Sequence, residues 1–366
     1  MKIQNMEVKR QFVPLKKPFK TALRTVTTLE SILVKVTCDN GLIGWGEAAA
    51  TVAITGDSLD SIESAILQTI KPRLIGADLL AYEQVFHDLH AAMVGNSSAK
   101  AAVDMALYDL IAQNCKLPLY QLLGGYRNEM ETDYTVSVNS PEEMGEDAVQ
   151  YLQQGFHVLK IKVGKDQIEN DIRRIQEIRA RVGKQVKIRL DANQGWQVKE
   201  AISSIRKMED MGLDIELIEQ PVKAHDIDGL KMVTEAVDTP ILADESVFSP
   251  LQAFEVLKKR AADLINIKLM KAGGIYKAQI INHLAEECGV ECMVGSMIES
   301  RLAVTAAAHL AASKKNITRY DFDAPLMLQK DWIVGGVKYE GRLMTLPQTP
   351  GLGIEKILLE EEVKRL

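Results

Sequence analysis

A chain of 366 residues has room for one large domain and a smaller companion. Hydrophobic residues at 46% and charged residues at 26% give the ordinary balance of a soluble globular protein. A formal net charge of -6 argues against a nucleic-acid partner, which calls for a basic face.

The N-terminal MKIQNMEVKR has no apolar core of the secretory type, and the longest apolar run, near Ala303 to Ala312, is too short to cross a bilayer. A cytoplasmic protein with no membrane partner is therefore expected. MEVKRQFVPL, SILVKVTCD and LIGWGEAA read as a strand meander, with Asp39-Asn40-Gly41 turning between the last two. Three helix-like stretches follow through Cys115, and Pro118 with Gly124-Gly125 closes the section. This predicts an α+β capping domain over residues 1–128. His87 and His90 share a helix face in EQVFHDLH, but with no further ligand nearby they read as ordinary helix residues. Cys38, Cys115, Cys288 and Cys292 make neither a disulfide framework nor a zinc-site spacing, so buried free thiols are expected.

From residue 129 the pattern changes. Strand candidates start at Thr132 (TDYTVSV), His157 (HVLKIKV), Val186 (VKIRLDAN), Ile215 (IELIEQ), Pro240 (PILADE), Leu264 (LINIKLM), Glu291 (ECMVGSMIE) and Arg319 (RYDFDAP). Successive starts lie 24 to 29 residues apart, the length of a strand, a helix and two short loops. The intervening IENDIRRIQEIRARVG and PLQAFEVLKKRAAD have helical spacing. Eight βα-like units point to a (β/α)8-type barrel over residues 129–326, and no GxGxxG opens a helix early enough for a doubly wound sheet. The segment 327–366 is expected to pack back on the capping domain. Gly273-Gly274 reads as a tight turn, and Gly183-Lys184 lacks the upstream spacing of a P-loop.

Barrel active sites lie at the C-terminal ends of the strands. Strand two ends there in Lys160-Ile161-Lys162, whose lysines share a face. Strand three offers Asp191 and Asn193, strand four Glu219, strand five Asp244-Glu245, and strand six Lys268, two residues after Asn266. Taken singly, each is as readily a surface charge or half of an ion pair. Taken together, three converging carboxylates repel one another and lose hydration, and a divalent cation removes both costs. Oxygen-only ligands from Asp191, Glu219 and Asp244 suit Mg2+, with Mn2+ left open. Lys162 and Lys268 then face each other across whatever the metal holds. Burial and neighbouring cations lower a lysine pKa, so one serves as base while the other serves as acid. Lys160 is placed to depress the pKa of Lys162 and to pair with a substrate carboxylate.

The pieces KIK at Lys160, DAN at Asp191, EQP at Glu219, DES at Asp244 and KLMKAGG at Lys268 occur in order at strand ends. In these the chain resembles the enolase superfamily, in its muconate-lactonizing subgroup, and is most similar to the dipeptide epimerases. The resemblance implies a modified TIM barrel and one Mg2+ per subunit on Asp191, Glu219 and Asp244. It implies proton transfer at a substrate α-carbon, with Lys162 acting on the L-residue and Lys268 on the D-residue. It also implies inversion of the glutamate centre in an L-Ala-D/L-Glu dipeptide from the cell wall. Asp321 and Asp323 of Asp321-Phe322-Asp323 would then hold the dipeptide ammonium, although by themselves they read equally as a helix cap and a loop charge. Arg24, in a lid loop near residues 20–28, would receive the glutamate side-chain carboxylate; alone it reads as a solvated loop arginine. Thr135, Ser296 and Ile298 match positions that line the substrate pocket. A homo-octamer follows by the same analogy. N-acylamino acid racemase and o-succinylbenzoate synthase activities, and a non-catalytic binding protein on the same barrel, remain open alternatives.

Overall fold

The first strand, Ile3–Lys20, buries Gln11, Val13 and Leu15 on one face and exposes Phe12 and Pro14 on the other, the period of a half-covered sheet. It pairs antiparallel with Thr25–Cys38, which pairs with Ile43–Ala49. The buried face lies on the helix Ser97–Asn114. A Cβ on Gly44 or Gly46 would sit 2.1 Å from the Ala106 carbonyl or 1.8 Å from that of Ala102, so these two glycines allow the helix to press onto the strand. That helix is buried nearly all round, because the barrel covers its other side. A computed structural model describes residues 1–358 of the chain. The charged end of the segment 327–366 lies outside the described residues.

Eight parallel strands follow in sequence order: Tyr134–Val136, Val158–Lys162, Lys187–Asp191, Ile215–Glu219, Ile241–Ala243, Leu264–Ile267, Glu291–Gly295 and Ile317–Asp321. The two edges meet where the Asp133 N–H donates to the Tyr320 carbonyl at 3.3 Å and the Phe322 N–H to Thr132 Oγ1 at 2.9 Å. The sheet closes as the (β/α)8-type barrel expected from the repeat.

One unit is shortened. The eighth strand leads only into the four-residue helix Ala324–Met327, after which the Gln329 N–H donates to the Pro14 carbonyl at 2.9 Å. The chain there runs to the first domain instead of back along the barrel. Farther on, Ile333–Gly335 pairs with Ile354–Ile357, and the Leu352 N–H donates to Asp109 Oδ1 at 2.9 Å.

Leu217, Leu242, Leu264 and Met293 form an apolar cluster separate from the main core. Each precedes by two residues a group at the barrel mouth, namely Glu219, Asp244, Asn266 and Gly295. By strand alternation they share that face and make a dry floor beneath it. Cys38 and Cys292 are buried, but Cys115 and Cys288 are exposed. Both exposed thiols stand just past a helix end, where the chain turns at the surface.

Candidate active site

Parallel register sets Lys162 beside Asp191 and Asp191 beside Glu219, so three charged groups share one level of the barrel. Ile161, between the lysines, faces outward and is fully buried in the main core. The Lys160 ammonium stands 3.2 Å from Asp191 Oδ2, 2.7 Å from Glu219 Oε2 and 2.7 Å from Asp321 Oδ2. Lys162 Nζ donates to Asp191 Oδ2 at 2.6 Å, and Lys268 Nζ to Asp244 Oδ2 at 2.7 Å. Asn266 Nδ2 donates to Glu219 Oε1 at 2.8 Å. All of these groups are buried.

Burial opposes ionisation of each carboxylate, and the lysines decide the outcome. Lys162, Lys160 and Lys268 outweigh burial at Asp191 and hold it at about 2. Lys268 and Lys271 likewise hold Asp244 well below the usual range. Burial wins at Glu219, pushed up to about 7 with the charge of Asp191 adding, and at Glu245, pushed up to about 8 beside Asp244. Burial also works against the charge on Lys268, but Asp244 and Glu219 overcome it and raise its pKa.

Among the described residues, no three acidic, histidine or cysteine side chains stand ready-made around one point for a metal. The ammonium groups lie between the carboxylates instead. The donor set nevertheless fits a hard cation. Glu219 Oε2, Asp244 Oδ1, Glu245 Oε2 and Asn193 Oδ1 are buried oxygens that accept no hydrogen bond. Glu219 Oε2 and Asp244 Oδ1 touch lysine ammoniums at 2.7 and 2.5 Å but out of hydrogen-bond alignment. Oxygen atoms from three consecutive strands, with charge to spare, suit a divalent ion such as Mg2+.

Lys162, Lys268 and Asp244 reach a cavity of about 50 Å3 at the barrel mouth. Arg24, Thr135, Ser296, Ile298, Asp321 and Asp323 also reach it, whereas Lys160, Asp191 and Glu219 lie beneath its wall. Asp321 engages Lys160 through Oδ2, and Asp323 Oδ2 accepts the Thr135 N–H at 2.6 Å. Burial and the charge of Asp321 push Asp323 up to about 7. Arg24 is half-buried, in a loop pinned where the Leu23 and Arg24 N–H groups donate to Thr21 Oγ1 at 3.1 and 3.3 Å. Burial lowers its pKa.

Several participants escaped the sequence reading. Lys271, one helical turn after Lys268 in KLMKAGG, donates to the Asp244 carbonyl at 2.5 Å and the Asn266 carbonyl at 3.0 Å. Its place in the quoted motif was the available signal. Gln220 accepts the N–H groups of Asp244 at 2.9 Å and Ser246 at 3.1 Å, latching the fifth loop to the fourth. Gln220 and Asn193 hold left-handed backbone at φ 37 and 42, unusual for such side chains and concentrated where the chain turns over the site. Phe19, 5.6 Å beneath the Lys162 ammonium, comes from the capping sheet. Glu47, also from that sheet, accepts the hydroxyl of Ser300 and the Ala303 N–H at 3.3 Å, meeting the N-terminus of the helix Arg301–Ser313. No local pattern announces these long-range partners.

Known proteins share this fold. The family description "Mandelate racemase / muconate lactonizing enzyme, N-terminal domain" matches residues 4–124, and "Enolase C-terminal domain-like" matches residues 143–357. The chain is 67% identical over 354 residues to the L-Ala-D/L-Glu epimerase of Bacillus subtilis (strain 168), covering 97% of each. A solved substrate-liganded complex of the Bacillus subtilis epimerase superposes with a TM-score of 0.97 at 66% identity, over 98% of this chain and 100% of that one. The dipeptide epimerase of Enterococcus faecalis V583, solved with Mg and the dipeptide L-Leu-L-Tyr, superposes with a TM-score of 0.94 at 44% identity, over 97% and 100%.

Proposed function

This chain belongs to the enolase superfamily, and from that membership we propose that it is an isomerase inverting the glutamate α-carbon of L-Ala-D/L-Glu dipeptides. The observation that carries the reading is the pair Lys162 and Lys268. They enter one cavity from strands on opposite sides of the three acidic strands. Asp191, Glu219 and Asp244 would hold one Mg2+ per subunit. Once bound, the ion supplies positive charge for the substrate carboxylate and competes with the lysines for these acids.

Neutral Lys162 takes the α-proton of the L-residue, and the Lys268 ammonium returns a proton to the opposite face; the D-residue reacts by the reverse assignment. One turnover leaves the two lysines with exchanged protonation states, and exchange with water resets them. Asp321 and Asp323 each keep one oxygen for the dipeptide ammonium, and Arg24 faces the glutamate side-chain carboxylate. Thr135, Ser296 and Ile298 shape the walls, while Lys160 holds the acids and Asp321 in place from below. The loop near residues 20–28 brings Leu23 and Arg24 to the cavity wall and serves as its lid. Residues 1–128 serve as the cap and 129–326 as the catalytic barrel, and the segment from 327 packs back on the cap. The role is a cytoplasmic one, in the breakdown of cell-wall peptides.

Deuterium uptake at the glutamate α-carbon of L-Ala-L-Glu in D2O tests this reading by NMR. Uptake from this L,L-substrate should require Mg2+ and disappear in Lys162→Ala, while conversion to L-Ala-D-Glu should disappear in both Lys162→Ala and Lys268→Ala. Undiminished uptake in the double variant would rule out the two-lysine assignment.

A further inference from the structure

Asp171, in the first turn of the helix Ile168–Val182, is fully buried and does not reach the cavity at the barrel mouth. Its Oδ2 accepts donors from two different loops, the Gly164 N–H at 2.8 Å and the Trp196 indole N–H at 3.1 Å. Gly164 stands two residues after Lys162, and Trp196 five after Asp191. Its Oδ1 accepts Arg174 Nη1 at 2.8 Å, while Nη1 and Nη2 of the same guanidinium each donate to Asp166 at 2.8 Å. Burying a carboxylate costs hydration, and Arg174 would keep a counter-charge in Asp166 without it. What Asp171 adds is a pair of directional bonds that join the second and third barrel loops.

Those loops have little room to slip past each other. A Cβ on Gly164 would lie 2.4 Å from the Ala192 carbonyl oxygen, and one on Gly195 would lie 2.3 Å from that of Gly164. The Val163 N–H donates to the Asp191 carbonyl at 3.0 Å, between this contact and the Lys162 side chain. Arg174 carries the tie outward, its Nε donating to the Asn139 carbonyl at 2.9 Å. Asn139 Oδ1 in turn accepts Lys20 Nζ at 2.6 Å, at the foot of the lid. Lys268 has no part in this set. The turn after it is held by Lys271, on the other side of the acids.

We propose that Asp171 is a positioning residue for Lys162 alone, fixing the chain just after the second strand and so the aim of one of the two bases. The inference rests on the two-lysine reading above. A reacting group displaced by about 1 Å can lose about 100-fold in rate, so a slack second loop is felt at Lys162 first. Forward and reverse epimerisation are tied together by the equilibrium constant, and overall turnover cannot show such one-sidedness. Exchange of the α-proton can, because each diastereomer gives up its proton to a different lysine.

Loss of the glutamate α-proton signal in D2O is followed by NMR at saturating Mg2+, separately from L-Ala-L-Glu and from L-Ala-D-Glu. In Asp171→Ala the initial rate from L-Ala-L-Glu should fall at least about tenfold, while that from L-Ala-D-Glu stays within about threefold of wild type. Trp196→Phe keeps a buried ring and removes one of the two donors, and should show the same one-sided loss at about threefold or more. Equal losses from both diastereomers in either variant would mark a merely structural role and overturn the inference. Unchanged exchange from L-Ala-L-Glu in either would do the same, so Trp196→Phe decides the matter alone should Asp171→Ala not fold. Exchange from L-Ala-L-Glu that survives Lys162→Ala would instead remove the two-lysine reading itself.

Discussion

Replacing Lys271 by methionine deletes a buried charge while keeping a side chain of similar length. The ammonium is 1% exposed and stands 2.5 Å from Asp244 Oδ1, with the Asp244 and Asn266 carbonyls as its hydrogen-bond acceptors. Removing one partner of a buried pair costs about 3–5 kcal/mol, since the remaining charge keeps its desolvation penalty. Lys268, 2.7 Å from Asp244 Oδ2, retains part of the compensation and draws the electrostatic loss toward the lower end. Two stranded carbonyls add about 1–3 kcal/mol. A net loss of about 4 kcal/mol is therefore expected in urea unfolding of the metal-free protein, followed by circular dichroism. Added Mg2+ should narrow the gap, because positive charge returns beside Asp244. A loss below about 1 kcal/mol, the range of exposed ion pairs, would show that Asp244 is held without Lys271 and refute the reasoning.

Three further outcomes are expected. Asp321→Asn/Asp323→Asn should abolish turnover of dipeptides with a free amino terminus while leaving far-UV circular dichroism unchanged; wild-type kinetics would favour an N-acylated substrate. Arg24→Met should lower kcat/KM for L-Ala-L-Glu by about 10- to 100-fold, the worth of a charge-assisted hydrogen bond, and leave a neutral dipeptide unaffected. Equal losses on both substrates would make Arg24 a structural part of the lid. Stability should fall with acid through His309, whose Nδ1 accepts the Tyr120 N–H at 2.9 Å while burial lowers its pKa to about 3. The folded value lies below the unfolded one, so this contribution is complete above about pH 6.5 and is lost as pH falls toward about 3. His309→Asn keeps an acceptor for Tyr120 and should flatten the unfolding midpoint between those limits. A slope equal to wild type would assign the acid sensitivity to the carboxylates.

Much of the site was legible because strand alternation is a property of neighbours in the chain. Two residues apart means one face, so Lys160 and Lys162, Asp191 and Asn193, and Asn266 and Lys268 declare themselves in order. The barrel then follows from the regular spacing, and strand ends become the place to look. The shortened eighth helix was less visible, since the residues after Met327 are claimed by Pro14 and Leu15, more than three hundred positions earlier.

Sequence alone therefore determined the barrel and the level at which the acids and lysines meet. Only tertiary structure decided that Lys160 lies beneath the cavity wall and not on it. Tertiary packing also placed Lys271, Gln220, Phe19 and Glu47 around the site. The reason is distance along the chain: period and spacing record what adjacent residues do. Burial and charge balance depend on which remote segments close over them.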